Sequence, residues 1–166
     1  MRNIVLIGFM GTGKSSTGRC LAERLGMRFV DMDALIETRA GKPISQIFAE
    51  EGEPHFRQLE RALAQELAGQ TGLVIATGGG IVLNAANIAD FARTGFVICL
   101  QATPDMILQR VGHETHRPLL ATGDKLGRIR ELLEKRQALY DAVPHQIDTN
   151  GQTPDQVAER IVALYR

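Results

Sequence analysis

The sequence lacks an excess of charge of either sign, because 19 lysines and arginines are matched by 19 aspartates and glutamates in 166 residues. A net charge of zero argues against general attraction to nucleic acid or to a membrane surface. The chain also lacks a long apolar run, since the apolar segment beginning at Ile4 is too short for a signal peptide or a membrane span. We therefore expect a cytoplasmic protein that binds neither nucleic acid nor membranes.

Cysteine is scarce too, with only Cys20 and Cys99. Two cysteines make no disulfide framework, and this pair lacks the spacing of metal ligands. We expect both to be small buried apolar residues in a reducing compartment. Repeats, low-complexity segments and inter-domain linkers are absent as well. With 44% hydrophobic residues, the chain suits one domain with a full core, spanning residues 1–166.

What the sequence does contain is a phosphate-binding loop at residues 8–15, where Gly-Phe-Met-Gly-Thr-Gly-Lys-Ser fits G-x-x-x-x-G-K-[ST] at every fixed position. An apolar strand is expected before it and a helix, from Ser16 to Leu25, after it. The glycines let backbone N–H groups turn inward onto phosphate. Lys14 is then placed for the β- and γ-phosphates, and the Ser15 hydroxyl for Mg²⁺. The predicted ATP contacts here are Gly11, Thr12, Gly13, Lys14, Ser15 and Ser16.

Strand and helix patterns alternate along the chain, which indicates an α/β fold in layers with a parallel sheet. Helices are expected to start at Thr103-Pro104 and at Thr153-Pro154, where the second start has a capping pattern. The expected strands are short and apolar, as strands covered on both faces should be. They are Asn3–Ile7, Arg28–Val30, Leu73–Ala76, Phe96–Leu100 and Gln146–Asp148.

Residues 112–124 are polar and rich in turn formers. Such a segment is either a plain connector between helices or a mobile loop. A phosphoryl-transfer enzyme needs to keep water away from ATP, and a lid in this position would do so. We read His113 and His116 as exposed polar residues, because no third ligand is spaced to form a metal site with them.

A pair of acidic residues, in the stretch Asp31-Met32-Asp33, follows the second predicted strand. Ligands of parallel α/β sheets bind beyond the carboxyl ends of the strands, so both carboxylates should lie near the phosphate loop. Asp31 is expected to hold Mg²⁺ or its waters, and Asp33 to contact the hydroxyl that accepts the phosphoryl group. The alternative for Asp33 is a structural one, as N-cap of a helix over Ala34–Arg39.

With these residues assembled, the chain resembles the shikimate kinase family over essentially its whole length. The resemblance rests on the order and spacing of several patterns together. They are the phosphate loop, Asp31-Met32-Asp33, the stretch from Gly52 to Glu60, Thr77-Gly78-Gly79-Gly80, Arg117-Pro118-Leu119-Leu120, and Lys135-Arg136-Gln137-Ala138-Leu139-Tyr140. It implies a three-layer P-loop kinase fold with a five-stranded parallel sheet flanked by helices and a mobile lid at about 112–124. It further implies transfer of the γ-phosphoryl group of ATP, with Mg²⁺, to the 3-hydroxyl of shikimate.

The resemblance also implies roles for particular residues. Arg57 and Arg136 would clamp the shikimate carboxylate, with Glu60 holding the fork of Arg57. Gly78, Gly79 and Gly80 would let the backbone approach the ring, in a substrate-binding region of about 33–62. Arg117 would stabilise the transferring phosphate from the lid, making it catalytic together with Lys14 and Asp33. Arg110 and Gln152 would contact ATP, and Gln152 stands where some members have arginine.

Two other classes stay open at this point. One is another small-molecule kinase on the same scaffold, acting on gluconate or a nucleotide. The other is a nucleotide-binding regulatory module without catalysis, which the presence of every expected charged residue argues against. No long exposed apolar stripe stands out, so we expect a monomer.

Overall fold

The computed structural model describes residues 1–111 and 124–166. Its centre is a five-stranded sheet in which all neighbouring strands run parallel. The strands are β1 Asn3–Ile7, β2 Arg28–Asp31, β3 Leu73–Ala76, β4 Gly95–Gln101 and β5 His145–Asp148, in the spatial order β2-β3-β1-β4-β5. The predicted α/β class and five-stranded parallel sheet are therefore confirmed. The predicted lid lies outside the described residues, except for Asp124.

Helices cover both faces of this sheet. They are α1 Lys14–Leu25, α2 Met32–Ala40, α3 Ile44–Glu51, α4 Glu53–Ala68, α5 Ala85–Thr94, α6 Pro104–Val111, α7 Lys125–Asp141 and α8 Pro154–Tyr165, with a 3₁₀ turn at Ile81–Leu83. One apolar cluster joins α1 and α8 to one face of the sheet. A larger cluster joins α2, α4, α5, α6 and α7 to the other face. Every residue of β1 is buried, as expected for a strand covered on both sides.

The first helix begins at Lys14, two residues before the predicted start at Ser16. The difference arises because Gly13 adopts φ 91° and acts as the N-cap, so that the chain enters the helix immediately after it. The N-terminal end of α1 and its positive dipole therefore lie directly against the phosphate loop. At the start of the loop, a Cβ on Gly8 would lie only 2.4 Å from the carbonyl oxygen of Leu100. Only glycine, which has no Cβ, fits at this position.

The two predicted helix starts are present. Thr153 caps α8 in a full capping box, in which its hydroxyl accepts from the Gln156 N–H and the Gln156 side chain accepts from the Thr153 N–H. Thr103 accepts from the N–H of Met106 at the start of α6. Both side chains satisfy backbone N–H groups in the first turn of their helices.

Of the two cysteines, Cys99 is fully buried, and burial raises the pKa of its thiol to about 12. Cys20 is only partly buried, which corrects the expectation that both lie in the core. None of the helices in the described part of the chain is long and apolar enough to cross a membrane.

Candidate active site

A cavity of about 650 Å³ opens beyond the carboxyl ends of β1, β2 and β3. This is where ligands of parallel α/β sheets bind. Its lining includes every predicted site residue that the structure describes. These are Gly11, Thr12, Gly13, Lys14, Ser15, Ser16, Asp31, Asp33, Arg57, Gly78, Gly79, Gly80, Arg110, Arg136 and Gln152. The remaining predicted site residue, Arg117, lies outside the described residues, as do His113 and His116.

The phosphate loop holds its own lysine in place. The Lys14 ammonium donates to the carbonyl oxygens of Gly8, at 2.6 Å, and of Phe9, at 2.9 Å. The side chain of Thr12 donates to the same Phe9 carbonyl at 2.8 Å. Lys14 is only 8% exposed, so its charge acts inside a largely desolvated site. An anion bound at the N-terminus of α1 would meet both this charge and the helix dipole.

The two predicted metal ligands are in contact. The Ser15 hydroxyl donates to the Asp31 carboxylate at 2.6 Å. The other Asp31 oxygen accepts from the Ala34 N–H at 3.1 Å, so Asp31 is the N-cap of α2. The alternative assignment of Asp33 as N-cap is therefore wrong. It fails because β2 extends to Asp31 and α2 begins directly after it, which leaves Asp33 in the first turn of the helix.

The predicted contact between Arg57 and Glu60 is confirmed, with 3.1 Å between Nη1 and Oε1. The residues lie three positions apart on α4, the spacing that puts side chains on one helical face. A second carboxylate, Glu53, lies 3.5 Å from the other guanidinium nitrogen. Glu60 is 2% exposed. Burial raises the pKa of the Glu60 carboxyl, while the Arg57 guanidinium acts in the opposite direction.

Side chains of the predicted site lie close to glycines 78–80. A Cβ on Gly78 would lie 2.7 Å from an oxygen of Asp33, and one on Gly80 would lie 2.4 Å from Nη1 of Arg57. A Cβ on Gly79 would lie 3.8 Å from Nη1 of Arg136. The glycine segment therefore runs close to Asp33 and to both arginines, and an added Cβ would be most crowded at Gly78 and Gly80.

Arg136 is the most unusual charge in the cavity. It projects from α7, is 5% exposed, and forms no ion pair with a carboxylate within the described ranges. The Glu60 carboxylate acts on Arg136 only at longer range, so burial of the guanidinium is incompletely compensated within the described residues. A bound anion would reduce that cost.

On the nucleotide side, Arg110 joins the phosphate loop to the segment that follows β5. Its guanidinium donates to the Gly11 carbonyl at 2.9 Å and to the Thr149 hydroxyl and carbonyl at 3.2 Å. Burial lowers the pKa of Arg110. Gln152 lines the same end of the cavity, and its Oε1 has no hydrogen-bond partner in the chain as far as the structure describes it.

Two residues of the site were missed at the sequence level, Thr149 and Tyr140. Thr149 immediately follows β5, and its hydroxyl also donates to the Gln101 carbonyl at 2.8 Å. Tyr140 lies one helical turn after Arg136, and its hydroxyl donates to the carbonyl of Gly79. The four-residue spacing from Arg136 is a signal that could have identified Tyr140.

A parallel sheet and a lysine-bearing phosphate loop at the carboxyl ends of its strands define the class, which is that of the P-loop phosphotransferases. The protein-family model for shikimate kinase matches residues 10–166 of this chain. The shikimate kinase of Pelotomaculum thermopropionicum is 48% identical over 162 residues, covering 98% of this chain and 94% of that protein. The chain belongs to the shikimate kinase family.

Comparison of structures agrees with this assignment. The shikimate kinase from Acinetobacter baumannii, solved in complex with shikimate, superposes with a TM-score of 0.95 and 39% sequence identity. The match covers 99% of this chain and 92% of that one. A gluconokinase from Sinorhizobium meliloti gives a TM-score of 0.64 over 98% of this chain and 90% of that one, at 18% identity. That second likeness shows the shared fold alone. Kinases that use ATP generally require a divalent metal ion.

Proposed function

We propose that this protein moves the γ-phosphoryl group of ATP to the 3-hydroxyl of shikimate, giving shikimate 3-phosphate. The observation that carries the proposal is the buried Arg136 guanidinium, which faces the phosphate-loop cavity without a carboxylate partner in the described ranges. Family membership gives the reaction, and Arg136 gives the part of the substrate that this cavity recognises. The chain would act as one domain, with a substrate-binding region at about 33–62 and a lid at about 112–124.

The acceptor would be held mainly by its charge. Shikimate has one carboxylate and three hydroxyls on a small ring. A planar guanidinium fork matches a carboxylate with two parallel hydrogen bonds. Arg136 supplies one such fork from α7, and Arg57 supplies a second from α4, steadied by Glu60. Arg136 lies near Gly79 and Arg57 near Gly80, and the backbone of these glycines would approach the ring.

Asp33 would orient the hydroxyl that attacks the phosphorus. Its carboxylate and that of Glu60 both lie near Gly78, at 2.7 and 3.1 Å from the position of a hypothetical Cβ there, within the cavity that also holds the phosphate loop. Because phosphoryl transfer has a loose transition state, orientation and late acceptance of the proton suffice. Asp33→Asn preserves the shape of the side chain and removes its charge. If that variant folded and retained full activity, Asp33 would not have this role.

The phosphate side would combine fixed dipoles with cations. The N–H groups of Gly11, Thr12, Gly13, Lys14, Ser15 and Ser16 surround the nucleotide phosphates, and the Lys14 ammonium reaches the β- and γ-phosphates. Arg110 and Gln152 contact ATP at the other end of the cavity. Arg117, from the proposed lid, would neutralise charge that develops on the transferred group.

We further propose Mg²⁺ as the divalent ion. The donors available are the Ser15 hydroxyl and the Asp31 carboxylate, which are hard oxygen ligands 2.6 Å apart. No group of three or more acidic, histidine or cysteine side chains that could bind a metal occurs in residues 1–111 and 124–166. A site with few protein ligands suits Mg²⁺, which keeps water and phosphate oxygens in its shell. Bound there, it would neutralise phosphate charge.

Asp31→Asn is expected to raise the Mg²⁺ concentration for half-maximal activity by about tenfold, because a carboxylate ligand becomes a neutral amide. Asparagine caps helices as well as aspartate does, so α2 should stay folded. The matched control is Asn84→Asp, which alters the N-cap of α5 in the opposite sense. An unchanged Mg²⁺ dependence in a folded Asp31→Asn variant would remove Asp31 from the metal site.

The remaining assignments concern the assembly and its location. We propose a monomer, because few large apolar side chains are exposed in the described part of the chain, namely Met1, Leu83, Leu139 and Leu164. We place the enzyme in the cytoplasm, where its co-substrate ATP is available.

The proposal is tested by measuring ADP release from ATP and Mg²⁺ with shikimate, gluconate or a nucleoside monophosphate as acceptor. We expect ADP release to depend on shikimate and to be at least a hundredfold faster with shikimate than with the other acceptors. A site built for particular polar groups rejects analogues that lack them. Faster release with gluconate or a nucleotide would support the interpretation of the phosphate loop but would show that shikimate is not the acceptor. ATP binding with no acceptor-dependent release would favour a binding module.

Gly80→Ala is expected to raise the KM for shikimate about tenfold while leaving the melting temperature nearly unchanged. The new methyl group would overlap the end of the Arg57 side chain. Because that side chain can move aside, the protein should still fold, but Arg57 would no longer be placed to bind the carboxylate. Gly69→Ala makes the same change where a Cβ meets its nearest atom at 3.5 Å, and should leave KM unaffected. Equal KM values in the two variants would show that Arg57 does not bind the acceptor.

A further inference from the structure

The hydroxyl of Tyr140 is buried at the base of the glycine segment. Tyr140 is 2% exposed, and its ring contacts Phe9 of the phosphate loop edge-on, with 6.4 Å between ring centroids and planes at 89°. Its hydroxyl donates to the carbonyl oxygen of Gly79 at 2.5 Å. One side chain on α7 therefore touches the phosphate loop through its ring and the acceptor half of the site through its hydroxyl.

This hydrogen bond fixes the direction of a whole peptide group. The Gly79 carbonyl and the Gly80 N–H belong to one planar trans unit, so they point in opposite directions. Within the described residues, the Gly80 N–H has no acceptor. Both glycines line the cavity. Holding the carbonyl on the Tyr140 side thus directs the Gly80 N–H away from Tyr140. Glycine would otherwise allow that peptide to rotate freely.

The peptide is also where the two arginines of the cavity meet the backbone. Gly79 lies against Arg136 and against the Met10 N–H, at 3.8 and 3.4 Å from the position of a hypothetical Cβ. Gly80 lies against Arg57. Arg136 and Tyr140 are one turn apart on α7 and therefore share a helical face. A rotation of this peptide would therefore change the surroundings of both guanidinium groups.

We propose that Tyr140 is a positioning residue, which fixes the Gly79–Gly80 peptide so that the Gly80 N–H faces the acceptor and the two arginines stay aligned on its carboxylate. This inference rests on the proposed function for the identity of the acceptor. The geometry of the Gly79–Gly80 peptide itself does not depend on it. Burial raises the pKa of Tyr140 to about 12, against the opposing effect of Arg136, so the hydroxyl keeps its proton at working pH.

The test is Tyr140→Phe, which removes the hydroxyl and keeps the ring. We expect the KM for shikimate to rise about fivefold, the effect of one lost hydrogen bond, while the KM for ATP changes less than about twofold. The matched control is Tyr165→Phe, which removes a hydroxyl that donates to the Arg2 carbonyl at 2.9 Å on another part of the surface. A general loss of stability would change both KM values or neither. A rise in the KM for shikimate alone therefore distinguishes a positioning role from a merely structural one.

A second measurement needs no substrate. The Gly80 amide resonance in the ¹H–¹⁵N spectrum of the free protein should shift in Tyr140→Phe and stay in place in Tyr165→Phe. If the parent chain does not phosphorylate shikimate, the proposed function fails, and the Gly80 resonance still decides the inference about Tyr140. An unmoved Gly80 resonance, or equal changes in the KM values for shikimate and ATP, would overturn it. Should Tyr140→Phe fail to fold, para-aminophenylalanine at position 140 retains a donor and is expected to preserve the parent KM.

Discussion

Lys14→Met is expected to lower kcat for shikimate phosphorylation by about 10³-fold, the upper end of what removal of one preorganised charge-stabilising group costs. Methionine retains the length of the side chain and loses the ammonium. Lys14 is 8% exposed at the start of α1, so water cannot replace the missing charge as it would at the surface. Initial rates at saturating ATP and shikimate measure the effect.

The control for this variant is Lys135→Met, since the Lys135 side chain is 65% exposed and pairs with Glu131 on the outer side of α7. Its kcat should equal that of the parent. Circular dichroism of both variants checks that the lost hydrogen bonds from Lys14 to Gly8 and Phe9 have not unfolded the loop. A Lys14→Met variant with more than a tenth of the parent rate would contradict the assignment of Lys14 to the transferring phosphates.

Arg136→Ala is expected to reduce kcat/KM for shikimate by about 100-fold or more, equivalent to roughly 3 kcal/mol for truncating one partner of a buried charge pair. The KM for ATP should stay within about twofold, because Arg136 lies near Gly79, in the part of the cavity proposed to bind the acceptor. Steady-state kinetics with each substrate varied in turn separates the two effects.

Arg130→Ala provides the comparison on the same helix. The Arg130 side chain is 61% exposed and lies 4.0 Å from Asp105, so little should change when it is removed. Arg136→Lys adds a finer test, since it retains the charge and loses the planar fork. We expect it to bind shikimate more weakly than the parent does. If Arg136→Ala raised the KM for ATP and left that for shikimate unchanged, the acceptor half of the cavity would be wrongly assigned.

The elements that sequence reasoning placed well are those whose pattern is local. The phosphate loop has fixed spacing, and the strands are short apolar runs, so all five strands differ from prediction by at most one residue at either end. The largest difference is in β4, which is longer by one residue at each end, Gly95 and Gln101. Helix caps at Thr103 and Thr153 were also local and were predicted correctly.

What sequence reasoning could not place depends on contacts between distant segments. Whether Asp31 or Asp33 caps α2 depends on where β2 ends, and that is set by the pairing of β2 with β3 up to Asp31 and Ala76. The hydrogen bond from Tyr140 to Gly79 spans 61 residues. The absence of a carboxylate beside Arg136 in the described ranges is likewise a property of the packed cavity, and no local pattern reports it.

Transfer of a phosphoryl group to one hydroxyl of shikimate can be observed by ³¹P NMR of a reaction that contains the protein, ATP, Mg²⁺ and shikimate. We expect a single new phosphomonoester signal, coupled to the ring proton on C3, that is absent when shikimate or the protein is omitted. Inorganic phosphate without a new ester, or an ester on another hydroxyl, would contradict it.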